Sequence, residues 1–285
     1  RIQWGLYKNL LNGITTVVNH GRQIKTNHNI IRVFQKCYTL HSVGFERWWK
    51  YKLNRPFTKS IPFAIHVGEG TDTEAGKEIN TLLRWNLFKR KLIGIHGVAM
   101  TAKQAAHFDA LVWCPASNYF LLNSTADIKT LKKHVPIVFG TDSTLTACWN
   151  FWEQLRQARQ SALLTDKELF EAVTSTAAKA WNTGGGSISV GAVADLVVAK
   201  KKLARNTDAF YAIDPNDILL VLQQGSIQVF DGELKEQLQD EGVNTSEFSA
   251  VIINGAIKYM RGNIGALINT IRTYYPGAVL PVSAA

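Results

Sequence analysis

Cysteine is scarce in this 285-residue chain: Cys37, Cys114 and Cys148 are an odd set with no CxxC spacing. That argues against a disulfide framework and fits a reducing cytoplasm. No apolar run reaches the length of a membrane span, and no signal peptide opens the sequence. Repeats, low-complexity tracts and the compact HExxH metal helix are also absent. The net charge of +10 is not gathered into a basic stripe. It is scattered through groups such as "KRK" (89–91), "LKKH" (131–134) and "KKK" (200–202), without interleaved aromatics. A solvated surface explains it better than a nucleic-acid or membrane partner.

What remains is an ordinary globular composition, 46% hydrophobic and 19% charged, long enough to bury a large core. The chain opens at Arg1 inside a helical pattern, "IQWGLYKNLLNG", and reads as though its natural N-terminus were missing. Five short apolar runs follow, each ending in polar residues: "GITTVVNHG", "IPFAIHVGEG", "KLIGIHGVAM", "ALVWCPASN" and "VPIVFGTDS". Runs of this kind suit strands buried on both faces of a parallel sheet. Between and after them, helical spacing predicts helices over 73–88, 149–162 and 165–181. The first begins at a Thr-Asp-Thr cap and the last at a Thr-x-x-Glu capping signature. Strand–helix alternation means an α/β fold.

After residue 184 the texture becomes hairpin-rich, with turns predicted at "QQG" and "ING". The chain therefore divides into a barrel-like part over 1–183, a small β domain over 184–263, and a helix with a tail over 264–285.

His66, Glu69, His96, Asn118 and Asp142 all fall where predicted strands run out. In α/β sheets and barrels, working residues sit at that end. Imidazole nitrogen and carboxylate oxygen are donors for a divalent metal. Such a metal brings bound water towards neutral pKa, and a nearby glutamate can carry a proton to a leaving group. His66, His96 and Asp142 supply the donors and Glu69 the shuttle. The spacing alone also admits the plain alternative of strand-end histidines and solvated carboxylates.

In order, "HVGEG", "GIHGVAM", "WCPASNYFLL", "VFGTDS" and "GAVADLVV" resemble the motifs of the amidohydrolase superfamily. The nearest branch holds the cytosine, guanine and S-adenosylhomocysteine deaminases and the triazine chlorohydrolases. The resemblance runs from about Gly13 to Lys200 and continues loosely beyond. It implies a (β/α)8 TIM-like barrel, lacking one or more N-terminal strands, with a small β-sandwich domain. It makes His66 the fifth-strand metal ligand and Glu69 the proton-shuttling glutamate. His96 becomes the sixth-strand histidine that meets metal or substrate and water. Asp142 becomes the eighth-strand aspartate that binds metal and takes the proton of the attacking water. Asn118 closes the seventh strand as a structural or substrate-facing residue, and His41, in "CYTLHSVGFERWW", is a candidate pocket residue.

The implied activity is metal-dependent hydrolysis of a C–N or related bond in a small-molecule substrate, deaminase-like. One divalent ion is expected, zinc first, with iron and manganese also compatible with these donors. A homodimer is the default assembly.

Two departures stand out. The family's first-strand His-x-His pair does not occur here, and the stretch from His20 to His66 is shorter than the roughly 60 residues two βα units require. A degenerate barrel kept for binding or assembly is therefore the alternative. His28, His107 and His134 read as surface residues, and His20 as a strand-end histidine, with a reach into the site as the alternative. Trp48 and Trp49 read as core or pocket wall, and Cys114 as a small buried hydrophobe.

Overall fold

Seven short strands in two parallel ladders build the first half of the computed structural model, which describes residues 2–25, 30–56 and 61–284. Helix α1 (Ile2–Leu11) leads into β1 (Thr16–Val18), which pairs in parallel with β2 (Arg32–Phe34). β3 (Tyr38–Leu40) follows after three residues and starts a second ladder. Then come α2 (Trp49–Leu53), β4 (Phe63–Val67), α3 (Thr73–Trp85), β5 (Leu92–His96) and α4 (Ala102–Ala105). β6 (Ala110–Trp113), α5 (Pro115–Leu122), α6 (Ile128–Leu131) and β7 (Ile137–Phe139) complete a five-stranded parallel sheet in the order β3-β4-β5-β6-β7. Helices α7 (Phe151–Gln160), α8 (Asp166–Ala172) and α9 (Ser175–Trp181) follow it. His28 lies outside the described residues.

The short stretch before His66 now has a structural account. Both expected strands, β2 and β3, are present, but three residues cannot hold the crossover of a dozen or more that a parallel neighbour needs. The chain passes from one ladder to the next without a helix, so the crossover helix of one βα unit is missing there. The segment expected to be one helix over 165–181 is two, α8 and α9. They are broken at Val173 and Thr174, where Thr174 leaves helical geometry (φ −129°, ψ −99°).

Alternation sorts the side chains of the sheet. Phe63, Ile65, Val67, Leu92, Leu111 and Ile137 pack with Ile79 and Leu82 of α3 and Leu155 of α7 in one core. Ala64, Ile93, Ile95, Ala110 and Val138 point to the other side, with Phe34 and Trp181. Strands covered on both faces are what continuous apolar runs give.

The C-terminal part is antiparallel. It comprises β8 (Leu196–Ala199), α10 (Asn206–Tyr211), β9 (Ile218–Gln223), β10 (Ser226–Asp231), α11 (Lys235–Asp240), β11 (Phe248–Ile253), β12 (Ala256–Arg261), α12 (Ile264–Tyr274) and β13 (Ser283–Ala284). The strands form one sheet in the order β13-β11-β12-β10-β9-β8. Among the described residues, helices line its apolar side: Leu6, Tyr7 and Leu10 of α1 and Ile264 and Ile268 of α12 pack on Val221, Val229, Val251 and Met260. The β11–β12 hairpin turns at Asn254 and Gly255 (φ 46° and 82°), a left-handed pair that Asn-Gly adopts at little cost.

Candidate functional site

The site gathers at the C-terminal ends of β4, β5 and β7. His66 sits on β4 two residues after Ala64, on the side opposite α3 and α7. The Oδ2 of Asp142 and the Oε1 of Glu69 both face His96, at 4.0 and 3.6 Å from its Nε2. The rings of His66 and His96 stack at 5.4 Å, and those of His20 and His41 lie 5.2 and 5.1 Å from His66. Four histidines and two carboxylates thus share one mouth.

His96 reaches it by breaking the strand's period. Leu92 packs on the side of α3 and α7 and Ile93 and Ile95 on the opposite side, so alternation would send His96 towards α3 and α7. Its φ of 72° ends the alternation, and Gly97 (φ 64°) continues the left-handed turn. A non-glycine residue there is uncommon and is held by its surroundings. Here Gly97 N–H donates to Val67 O at 3.0 Å, and the buried His96 ring bonds Asn118. Asp142 also has a left-handed φ, 50°.

The hydrogen bonds fix the faces that the rings present. His66 Nδ1 lies 2.8 Å from the carbonyl of His41, which can only accept, so the proton is on Nδ1 and Nε2 offers a lone pair. His96 Nδ1 lies 2.8 Å from Asn118 Oδ1, which likewise calls for a proton on Nδ1. Asp142 Oδ2 accepts from Ser117 Oγ at 2.5 Å. The loop that carries His41 is itself held by carboxylates. Glu46 accepts the His41 N–H at 3.0 Å, and Glu78 of α3 accepts the Val43 N–H at 2.8 Å.

Burial lowers the pKa of His66, with the neighbouring His96 and His41 acting the same way against the His41 carbonyl and Glu69. Burial, then His66, lowers that of His20. The Cys114 thiol is pushed well up, by burial first and then by the charges of Asp142 and Glu69. A thiol in that state is a poor nucleophile.

His66, Glu69, His96 and Asp142 come together as expected from the strand ends. Asn118 lies not on the strand but in α5, fully buried, with its amide engaged at both ends by His96 and by Thr125 Oγ1 (3.2 Å). The exposed His41 ring flanks His66. His20 belongs to the cluster, the alternative that its strand-end place left open. Ser117 and Glu78 carry no sequence signal, since each acts through a contact distant along the chain, and Glu46, five residues from His41, belongs to no motif. His107 and His134 are exposed, Trp49 is core and Trp48 is exposed.

As donors, two imidazoles whose neutral forms offer Nε2, and an oriented carboxylate, suit a divalent metal, and their rear hydrogen bonds are of the kind that orient metal ligands. Among the described residues, however, no group of three His, Cys, Asp or Glu side chains is arranged to hold an ion. The chemistry of the donors fits, while their number at a single point falls short of a full shell.

A sheet of parallel strands with helical crossovers and polar side chains gathered at its carboxyl end is an α/β arrangement of the barrel kind. Residues 57–227, more than half of the sequence, match the model of the amidohydrolase family, and the chain belongs to that family. Its structure is similar to that of an adenosine deaminase from Xanthomonas campestris with bound zinc (TM-score 0.59, 21% identity), covering 71% of this chain and 53% of that one. It is also similar to Helicobacter pylori aminofutalosine deaminase in complex with methylthio-coformycin (0.61, 12%, 79% and 74%). A third similar structure is guanine deaminase from C. acetobutylicum with bound guanine (0.56, 14%, 79% and 68%). The chain thus spans about half the length of the adenosine deaminase. A search of curated proteins finds no match. The fold is that of a TIM-like barrel with mixed α/β content. No helix among the described residues is long and apolar enough to cross a membrane.

Proposed function

We propose that this chain carries the catalytic face of a metal-dependent hydrolase that cleaves a C–N bond in a small, amine-bearing substrate, as a deaminase does. The observation that carries this reading is the meeting of Glu69, His96 and Asp142 around one point beside His66. Membership of the amidohydrolase family supports it.

In this mechanism Asp142 takes a proton from the water that attacks the substrate carbon. Its Oδ2 is turned to the site by Ser117. Glu69, partly open to solvent, gives a proton to the departing nitrogen, which leaves as ammonia or an amine. His96 presents Nε2 between the two carboxylates, as a ligand or as an acceptor for the water. His66 Nε2, His96 and the Asp142 carboxylate would hold one divalent cation, zinc in the first instance. Such a cation supplies acidified water, with a pKa near 7 when it is zinc. The exposed His41 forms part of the pocket wall.

The absence of a three-ligand group among the described residues favours a second reading, a barrel kept for binding without catalysis. Elemental analysis of the purified chain beside His66→Ala separates the two. About one equivalent of transition metal in the parent, lost in the variant, is expected. A folded parent that holds no metal after incubation with zinc would overturn the hydrolase and leave the binding protein.

A further inference from the structure

Behind His96 lies a hydrogen-bonded chain that catalysis itself does not use. Asn118 Oδ1 faces His96 Nδ1 at 2.8 Å, and Asn118 Nδ2 donates to Thr125 Oγ1 at 3.2 Å. The indole Nε1–H of Trp113 donates to the same hydroxyl at 2.7 Å. Trp113, Asn118 and the His96 ring are all buried. Indole can only donate, so it occupies one of the two lone pairs of the Thr125 oxygen. The other lone pair accepts from the Asn118 amide nitrogen, and the amide oxygen faces the ring. An amide oxygen can only accept, so His96 must carry its proton on Nδ1. In water neutral imidazole exchanges between its two forms, and here the surroundings select one.

The neighbouring residue does the same for the other side of the site. Ser117 and Asn118 are consecutive on α5, and Ser117 Oγ donates to Asp142 Oδ2. One turn of helix thus backs two groups that come from the ends of different strands, β5 and β7.

We propose that Asn118 is a positioning residue that sets the tautomer of His96, held in place by Thr125 and Trp113, while Ser117 beside it sets the orientation of Asp142. The inference rests on the reading of His96 and Asp142 as working groups, and it assigns Asn118 a role away from substrate. Its consequence is chemical: only the form with Nδ1–H leaves a lone pair on the Nε2 that faces Glu69 and Asp142.

The test is long-range proton–nitrogen NMR of the full chain with 15N-labelled histidine, in chelator and mildly alkaline buffer, where neither metal nor substrate enters the readout. His96 is assigned from the signal lost in His96→Gln. The parent is expected to show Nδ1–H with an unprotonated Nε2. Asn118→Asp, which keeps an acceptor oxygen, should retain that pattern. Asn118→Ala should lose it and show Nε2–H or a mixture. Should Asn118→Ala not fold, Thr125→Val serves as the second variant, since it removes the hydroxyl that fixes the amide and is expected to mix the two forms. A parent with Nε2–H, or a tautomer unchanged in every folded Asn118 and Thr125 variant, would overturn the proposal. A tautomer set by Asn118 in a protein that binds no metal would overturn the hydrolase and leave this inference standing.

Discussion

Burial governs His20 and His66 more than their charged neighbours do. His20 and His66 both have pKa values below the ordinary imidazole figure, with burial as the first cause. Between the lowered folded value and about 6.5, the unfolded chain binds more protons than the folded one. Unfolding free energy therefore rises with pH through that window and is lost as the pH falls through it. Urea unfolding of the chelator-treated protein between about pH 7.5 and 5 is expected to show a midpoint that drops on acidification. The double variant His20→Gln/His66→Gln should show a flatter profile, and an equally steep one would contradict the account. The same burial makes Cys114 a packing residue despite its place beside Asp142 and Glu69.

Among the elements, close approach between strands does as much as helix packing to hold the site. Gly140 follows β7, and its N–H donates to Trp113 O at 2.8 Å. A Cβ added there would lie 2.5 Å from Val112 Cγ1 and 2.7 Å from Cys114 Sγ, closer than side-chain carbons approach. Gly140→Ala must push β6 and β7 apart just before Asp142. A loss of about 1–3 kcal/mol is expected, as for other overpacked cores. Denaturant midpoints measure it, and a change within about 0.5 kcal/mol, the range of ordinary surface substitutions, would show that the strands part freely. Helix starts were easier to read: the Thr165–Glu168 capping box forms as its Thr-x-x-Glu pattern predicts, and Asp72 caps α3. The split of α8 from α9 was not: Val173 to Thr176 are weak helix formers, but the apolar spacing Leu169, Val173, Ala177, Trp181 carries on across them.

Over the whole molecule, the first helix and the last sheet make one layer. Leu10 of α1 is fully buried in the core shared with Val221, Val251 and Ile268, and the Tyr7 hydroxyl donates to Arg261 O at 3.1 Å. Leu10→Ala is expected to cost about 2–5 kcal/mol and to loosen the C-terminal sheet, although the two lie at opposite ends of the sequence. Hydrogen exchange localises the effect: faster exchange in β9 to β12 is expected, and a change confined to α1 would show that the helix docks without supporting the sheet.

Motif order placed the chain in its family, and uninterrupted apolar runs located β4 to β7 because a strand covered on both faces needs apolar side chains at every position. The Asn-Gly hairpin was equally plain, since few residue pairs accept two left-handed positions. Local pattern reached as far as the strand ends and stopped there. That His96 turns inward follows from a left-handed residue held by packing, and that Asn118 turns back to support it follows from Thr125 and Trp113. The inclusion of His20, the three-residue passage from β2 to β3, and the docking of α1 on a sheet more than two hundred residues away were likewise decided by the tertiary structure. Periodicity encodes which face of an element is apolar. It does not encode which distant element will cover that face, because any apolar surface of suitable shape satisfies the same local pattern.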